Sequence, residues 1–234
     1  MSEAAELCVF IPTLRRREQA EKCVQSFVDT VKSDVDLVLV VDENDDSYDG
    51  LEFPPILKVK PGTLVTAINQ AAEKLAPHYK ALMLAADDQI FRTPGWDLFM
   101  MATLDVLGGS GIVYPDDKRR ADVAEHILMS TDVYNCLGWF AEPSFDHFYI
   151  DNVWSELGKR SGLIRYCPQA VIEHMHYSLH EDIERDDTYK NAEITSGQSD
   201  YTVFQEWRHA RLPEQVSRLR RQFNPDIKWV LNSF

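Results

Sequence analysis

Asp87 and Asp88 directly follow an apolar run over residues 81–86. Side by side at the end of a buried strand, two carboxylates concentrate negative charge at a low-dielectric edge. Their repulsion is costly unless a cation shares the site. Oxygen donors of this kind suit Mn²⁺ or Mg²⁺, which bridge one or two carboxylates to substrate phosphates. A helix N-cap followed by a first-turn acid accounts for the pair equally well. His174 and His176 alternate in Val171-Ile172-Glu173-His174-Met175-His176, which puts both on one face of a strand. Imidazole is a ligand for Mn²⁺-class ions, and the competing reading is one core and one surface histidine. Asp151 stands at the start of a helical pattern, where it fits either a general base near an acceptor hydroxyl or an N-cap.

The elements that must position these residues follow from hydrophobic periodicity. Residues 7–11, 36–41, 56–59 and 81–86 read as buried strands. Between them, 16–32 and 64–75 show helical spacing, with Ala20, Val24, Phe27, Val28 and Val31 on the inward face of the first and Leu64, Ala67, Ile68, Ala71 and Leu75 on that of the second. Alternating strands and helices predict an α/β fold, a mostly parallel sheet flanked by helices in a single domain. Ligands in such sheets bind beyond the carboxyl ends of the strands. Here those ends carry Pro12-Thr13, Asp42 through Asp46, and Asp87-Asp88, which would converge on one crevice. Farther on, 111–114 and 170–176 read as strands, 130–137, 149–161 and 203–223 as helices, and the polar stretch 180–199 as a mobile loop.

Composition bounds the partners. The 234 residues are 44% hydrophobic and 26% charged, and the apolar runs are strand-sized, which predicts no membrane contact. An acidic N-terminus argues against a secretory signal, and four scattered cysteines without a CxxC pair read as buried thiols, so a cytoplasmic setting is expected. A net charge of −14 disfavours general binding to phosphate backbones. Basic clusters at Arg15-Arg16-Arg17, Lys118-Arg119-Arg120, and Arg208, Arg211, Arg218, Arg220 and Arg221 are the exceptions, the last group reading as a solvated helix face.

Five segments together carry a family resemblance: Val9-Phe10-Ile11-Pro12-Thr13-Leu14; Val40-Val41-Asp42-Glu43-Asn44-Asp45; Pro61-Gly62 through Asn69-Gln70-Ala71-Ala72; Ala85-Ala86-Asp87-Asp88-Gln89 with Thr93-Pro94-Gly95-Trp96-Asp97; and Tyr149-Ile150-Asp151-Asn152-Val153-Trp154 with Ile172-Glu173-His174-Met175-His176. In this order the chain resembles GT-A-fold (Rossmann-like) glycosyltransferases over residues 7 to 177. It is most similar to the inverting family 2 type and to short relatives from bacteriophages and actinobacteria.

The resemblance implies a nucleotide-sugar site at Pro12, Thr13, Arg15, Asp42, Asn69 and Asp87. It implies Mn²⁺ or Mg²⁺ held by Asp88 with His176 and His174, and Asp151 as catalytic base. It divides the chain into a donor half (1–110), an acceptor and catalytic half (111–180), and a loop with a C-terminal helix (181–234). Two departures stand out. A strict D-x-D would need an acid at Ala86 or Gln89, and Ile150 stands where many relatives have Glu.

The implied reaction is a single displacement from UDP-glucose or a similar donor to an acceptor hydroxyl. A hydroxymethylated pyrimidine in phage DNA is one acceptor, in which case the host cytoplasm is the setting, with Lys118-Arg119-Arg120 on phosphates and Trp139 and Phe140 stacking on a base or sugar. Core packing explains those aromatics equally well. A glycan or a small molecule is the other acceptor class. A nucleotidyltransferase is disfavoured because Pro12-Thr13-Leu14-Arg15-Arg16 stands where a glycine- and lysine-rich loop belongs. A non-catalytic nucleotide-binding module is the third reading.

Overall fold

The computed structural model describes residues 5–176 and 187–224, with side chains in the second span from Ser196 onward. Eight strands, β1 (Leu7–Pro12), β2 (Val35–Asp42), β3 (Ile56–Val59), β4 (Ala81–Leu84), β5 (Gln89–Phe91), β6 (Ile112–Asp116), β7 (Leu128–Ser130) and β8 (Ile164–His174), form one sheet in the order β3-β2-β1-β4-β7-β6-β8-β5. The first four in that order are mutually parallel, β8 runs parallel to β6, and β7 and β5 are antiparallel insertions. The sheet is therefore mixed but mostly parallel.

Period-two alternation feeds two cores. Leu7, Val9 and Ile11 of β1, with Leu37, Leu39 and Val41 of β2, pack under α1 (Arg17–Thr30) and α3 (Trp96–Val106). Cys8 and Phe10 point the other way, into the layer of α2 (Leu64–Leu75), α4 (Thr131–Leu137), α5 (Ile150–Ser161), α6 (Asp187–Ala210) and α7 (Leu212–Phe223). Burial on both faces explains why β1 reads as an unbroken apolar run. Thr63 caps α2 by accepting from the Thr66 amide at 3.2 Å. Gly158 lets α5 lie against β8, since a Cβ there would come 2.5 Å from Ile164.

Several sequence expectations need correction. β5 and β7 are three residues each, too short to show a period. β8 begins at Ile164, well before residue 170, because Arg165, Gln169 and other polar residues alternate along a strand that is only half-buried. It ends at His174, so His176 lies just past the strand. The stretch expected to be a loop over 180–199 is helical from Asp187, while 177–186 lie outside the described residues. No helix among the described residues is long and apolar enough to cross a membrane. Cys8, Cys23 and Cys167 are buried free thiols.

The C-terminal arginines are not a simple solvated face. Arg211 donates to buried Glu142 at 2.7 Å, Arg218 to the Leu137 carbonyl at 3.3 Å, and Arg208 pairs with Glu156 at 3.1 Å. Glu142 also accepts from Gln215 Nε2 at 2.8 Å, and Gln215 in turn accepts from Trp207 Nε1 at 3.0 Å. These bonds tie α6 and α7 to the loop between α4 and α5. Removing the carboxylate leaves the buried Gln215 amide without its acceptor, at a cost of about 1–3 kcal/mol. Urea denaturation of Glu142→Ala should show that loss; an unchanged midpoint and slope would show that the anchor is dispensable.

Candidate active site

The β1–α1 turn builds the first half of the site. Arg15 adopts φ 54°, a left-handed conformation that a non-glycine residue holds only under local constraint. The constraint is Asp45, which accepts from the Arg15 amide at 2.9 Å and from the Ser47 amide and hydroxyl at 3.0 and 2.6 Å. Beyond this turn, Arg16 Nη1 meets Asp87 Oδ1 at 2.7 Å and Nη2 approaches Asp88 at 3.8 Å.

Thr13 donates its hydroxyl to the other Asp87 oxygen at 2.7 Å. It must then accept from the Tyr48 hydroxyl 2.6 Å away, while the Tyr48 oxygen accepts from the Arg16 amide at 3.2 Å. A directed chain therefore runs from the Arg16 amide through Tyr48 and Thr13 to Asp87. Asp87 is turned toward β1, and Asp88 toward β8.

His174 Nε2 lies 3.5 Å from Asp88 Oδ1, and its Nδ1 is 2.9 Å from Glu125. Burial works against a charge on His174, but the bonds to Asp88 and Glu125 outweigh it and push the pKa up to about 9. Burial would likewise raise Glu125, yet His174, His126 and Arg119 pull it down to about 2. His126, buried beside the charged His174, is driven down to about 4 and bonds to Gln89 at 2.6 Å. The His176 ring packs edge-on to His174 with centroids 5.3 Å apart. The Met175 amide closes the group by donating to the Asp88 carbonyl at 2.9 Å.

Glu125 links this cluster to a second. Its carboxylate accepts both bonds from Arg119 Nη1 at 3.1 and 3.2 Å, and Arg119, Arg120, Phe148, Tyr149, Asp151, Asn152 and His176 face a common cavity of about 330 Å³. The loop presenting the arginines is fixed by buried Asp117, which accepts from the amides of Arg119 and Arg120 at 2.8 and 2.9 Å. Burial holds the Asp151 carboxyl above the ordinary range, and Glu125 adds to the effect against the pull of Asn152, Arg120 and Arg119.

The structure thus brings Pro12, Thr13, Asp87, Asp88, His174 and His176 to one strand-end cluster, with Asp151 in the adjoining cavity. Arg15 contributes its backbone to the turn, and Arg16 is the guanidinium that meets the aspartates. Asp42 ends β2, its carboxyl raised by burial and by neighbouring Asp45 and Glu43. Asn69 lies elsewhere. Its Oδ1 accepts from the Phe140 and Ala141 amides, both at 3.0 Å, and its Nδ2 donates to the Ala141 carbonyl at 2.7 Å. Phe140 is core, edge-on to Phe10 at 5.2 Å, while Trp139 borders a separate cavity of about 440 Å³ between α2 and α4.

Sequence reasoning missed Arg16, Tyr48, Glu125 and His126. The polar residues inside an otherwise apolar stretch, Glu125 and His126 between Ala124 and Ile127, were the available signal.

No protein-family model and no curated protein matches the chain. Solved structures do. S. aureus TarS 1–349 in complex with UDP aligns with TM-score 0.57 and 10% identity over 71% of this chain and 59% of that one. Glucosyl-3-phosphoglycerate synthase from Mycobacterium tuberculosis, with Mn²⁺, UDP and glucosyl-3-phosphoglycerate, aligns with TM-score 0.53 and 13% identity over 80% and 75%. The catalytic domain of Drosophila β1,4-galactosyltransferase 7 with xylobiose gives 0.52 and 10% over 80% and 79%. The chain spans only 36% of the longer TarS structure. The fold is the GT-A fold of glycosyltransferases.

The position of Asn69 makes a discriminating prediction. Asn69→Ala should lower stability by about 1–3 kcal/mol through the unsatisfied loop groups. An unchanged urea midpoint would show that the loop at 140–141 does not depend on this side chain.

Proposed function

We propose that the protein is a metal-dependent glycosyltransferase that moves a sugar from a nucleotide sugar, UDP-glucose or a similar donor, to an acceptor hydroxyl with inversion. The observation that carries this reading is the pairing, on a GT-A fold, of the Asp87–Asp88 cluster with the Asp151 cavity through Glu125 and His174. Residues 1–110 supply the donor side and 111–180 the acceptor side.

The donor set fits a divalent cation. Asp88 offers a carboxylate oxygen, and His174 would offer its facing imidazole nitrogen once an incoming cation displaces the Nε2 proton; Glu125 on the opposite ring nitrogen is the outer-shell partner that metal-binding histidines characteristically have. Among the described residues no group of three or more such side chains converges. Two protein ligands completed by diphosphate oxygens and water suit Mn²⁺ or Mg²⁺. Asp88 and His174 would hold the ion, with His176 beside them. When bound, the ion supplies Lewis-acid neutralisation of the leaving diphosphate.

The chain's own residues do the rest. Thr13 and Arg16 orient Asp87 at the donor, and Arg16 places positive charge where the diphosphate charge grows. Asp151 takes the proton from the acceptor hydroxyl. The freed oxygen attacks the anomeric carbon from the face opposite the diphosphate, the bond from that carbon to the diphosphate breaks, and its electron pair leaves with UDP.

Asp151→Asn should keep UDP binding and lower transfer by about 10²–10⁴-fold, the usual contribution of a general base. Wild-type turnover in that variant would remove Asp151 from the mechanism. Because a base works only when deprotonated, kcat/KM should fall as pH drops through the raised Asp151 pKa. That acidic limb should lie above the ordinary carboxylate range and be missing from the residual activity of Asp151→Asn.

One observation bears on the acceptor. The residues lining the cavity include two arginines, Arg119 and Arg120, and two aromatic residues, Phe148 and Tyr149. This favours an acceptor that joins a planar ring to a phosphate, as a hydroxymethylated pyrimidine in DNA does. Sugar transfer to hydroxymethylcytosine duplex but not to unmodified duplex is the expected result. Transfer to neither, with turnover on a free glycan, would favour the glycan reading.

A further inference from the structure

Asp200 lies on α6 and is not itself among the residues that line the acceptor cavity. It is 2% exposed, and its carboxylate accepts three successive backbone amides: Asp146 at 3.1 Å, His147 at 2.9 Å and Phe148 at 2.8 Å. Consecutive amides turned inward on one anion form a nest, an arrangement in which fixed N–H dipoles replace the water lost on burial. The next residue, Tyr149, has φ 67°. A left-handed tyrosine is strained and persists only where its surroundings over-determine it.

α6 provides those surroundings. Asp200 grips the three amides before Tyr149, and one turn later the Phe204 ring stacks on the Tyr149 ring at 5.3 Å and 21°. Tyr201 adds a tilted contact at 5.8 Å. The chain then enters α5 at Ile150, so Asp151 is the second residue after the strained turn. Phe148, Tyr149, Asp151 and Asn152 all line the cavity, and Gly197 of α6 closes part of its wall.

We propose that Asp200 is a positioning residue for the transfer reaction: by gathering the amides of 146–148 it sets the entry of α5 and thereby aims Asp151 into the acceptor cavity. This rests on Asp151 being the base. Asp200 itself touches no substrate. Its carboxylate is the right group because both oxygens accept, whereas an asparagine in its place would set an NH2 against one of the converging amides.

The test is a double-mutant cycle on the intact protein. Hydrolysis of a UDP-sugar by water in the presence of Mn²⁺ is followed for wild type, Asp200→Asn, Asp151→Asn and the double variant, with UDP affinity measured by calorimetry. The donor is whichever of UDP-glucose, UDP-galactose and UDP-N-acetylglucosamine the wild type turns over fastest. Asp200→Asn should lower kcat by about 10²-fold, the scale on which a small misplacement of a reacting group acts, with UDP affinity unchanged. Because Asp200 acts through Asp151, the double variant should be no slower than Asp151→Asn alone.

Additive losses, or a normal kcat in Asp200→Asn, would overturn the proposal and show a tie that only stabilises the fold. A wild type that turns over no UDP-sugar would instead overturn the glycosyltransferase reading on which it rests. If Asp200→Asn does not fold, Phe204→Leu, which loosens the Tyr149 stack, takes its place in the same cycle with the same expected non-additivity.

Discussion

Two carboxylates that leave a buried strand side by side repel each other, and a fold that keeps them must bring them positive charge. Around Asp87 and Asp88 that charge comes from two directions. Arg16 reaches Asp87 from the β1–α1 turn, and His174 faces Asp88 from the end of β8. Much of the local architecture serves these two approaches. Asp45 holds the left-handed Arg15 that delivers Arg16, Tyr48 and Thr13 orient Asp87, and Glu125 fixes the His174 ring from behind. A nucleoside diphosphate with its cation would enter a site already arranged for the exchange of these charges.

The cavity beside Asp151 depends on a different constraint. The loop between α4 and α5 carries many backbone amides into the interior, where each needs an acceptor. Side chains from other elements supply them. Asn69 serves residues 140 and 141, and Asp200 serves 146 to 148. Glu142 meanwhile anchors the same loop to α7 through Gln215. The C-terminal helices are thus part of the framework that shapes the cavity around Asp151.

The N-terminal half is readable from the sequence because its signals are local. Apolar runs of strand length, helical spacing between them and acidic strand ends all survive without tertiary knowledge, and residues 7 to 84 fold close to the expected bounds. The aspartate pair and His174 were readable for the same reason. What could not be read were partners fixed only by tertiary contact. Arg16 and Arg15 are equivalent in sequence, and only the left-handed turn decides which one meets the aspartates. Nothing in the sequence around Asn69 shows that its amide also ties down the loop at 140–141. Asp200 falls between the loop expected over 180–199 and the helix expected over 203–223, and its three amides lie more than fifty residues away in the chain.

The central claim is that the strand-end cluster binds a nucleoside diphosphate together with a divalent cation. Calorimetric titration of the protein with UDP, in the presence and absence of Mn²⁺, tests it most directly. The account predicts saturable UDP binding that tightens by at least about tenfold, or about 1.4 kcal/mol, when Mn²⁺ is present, and that loses this dependence in Asp88→Ala. No UDP binding, or binding indifferent to Mn²⁺ and to Asp88, would contradict it.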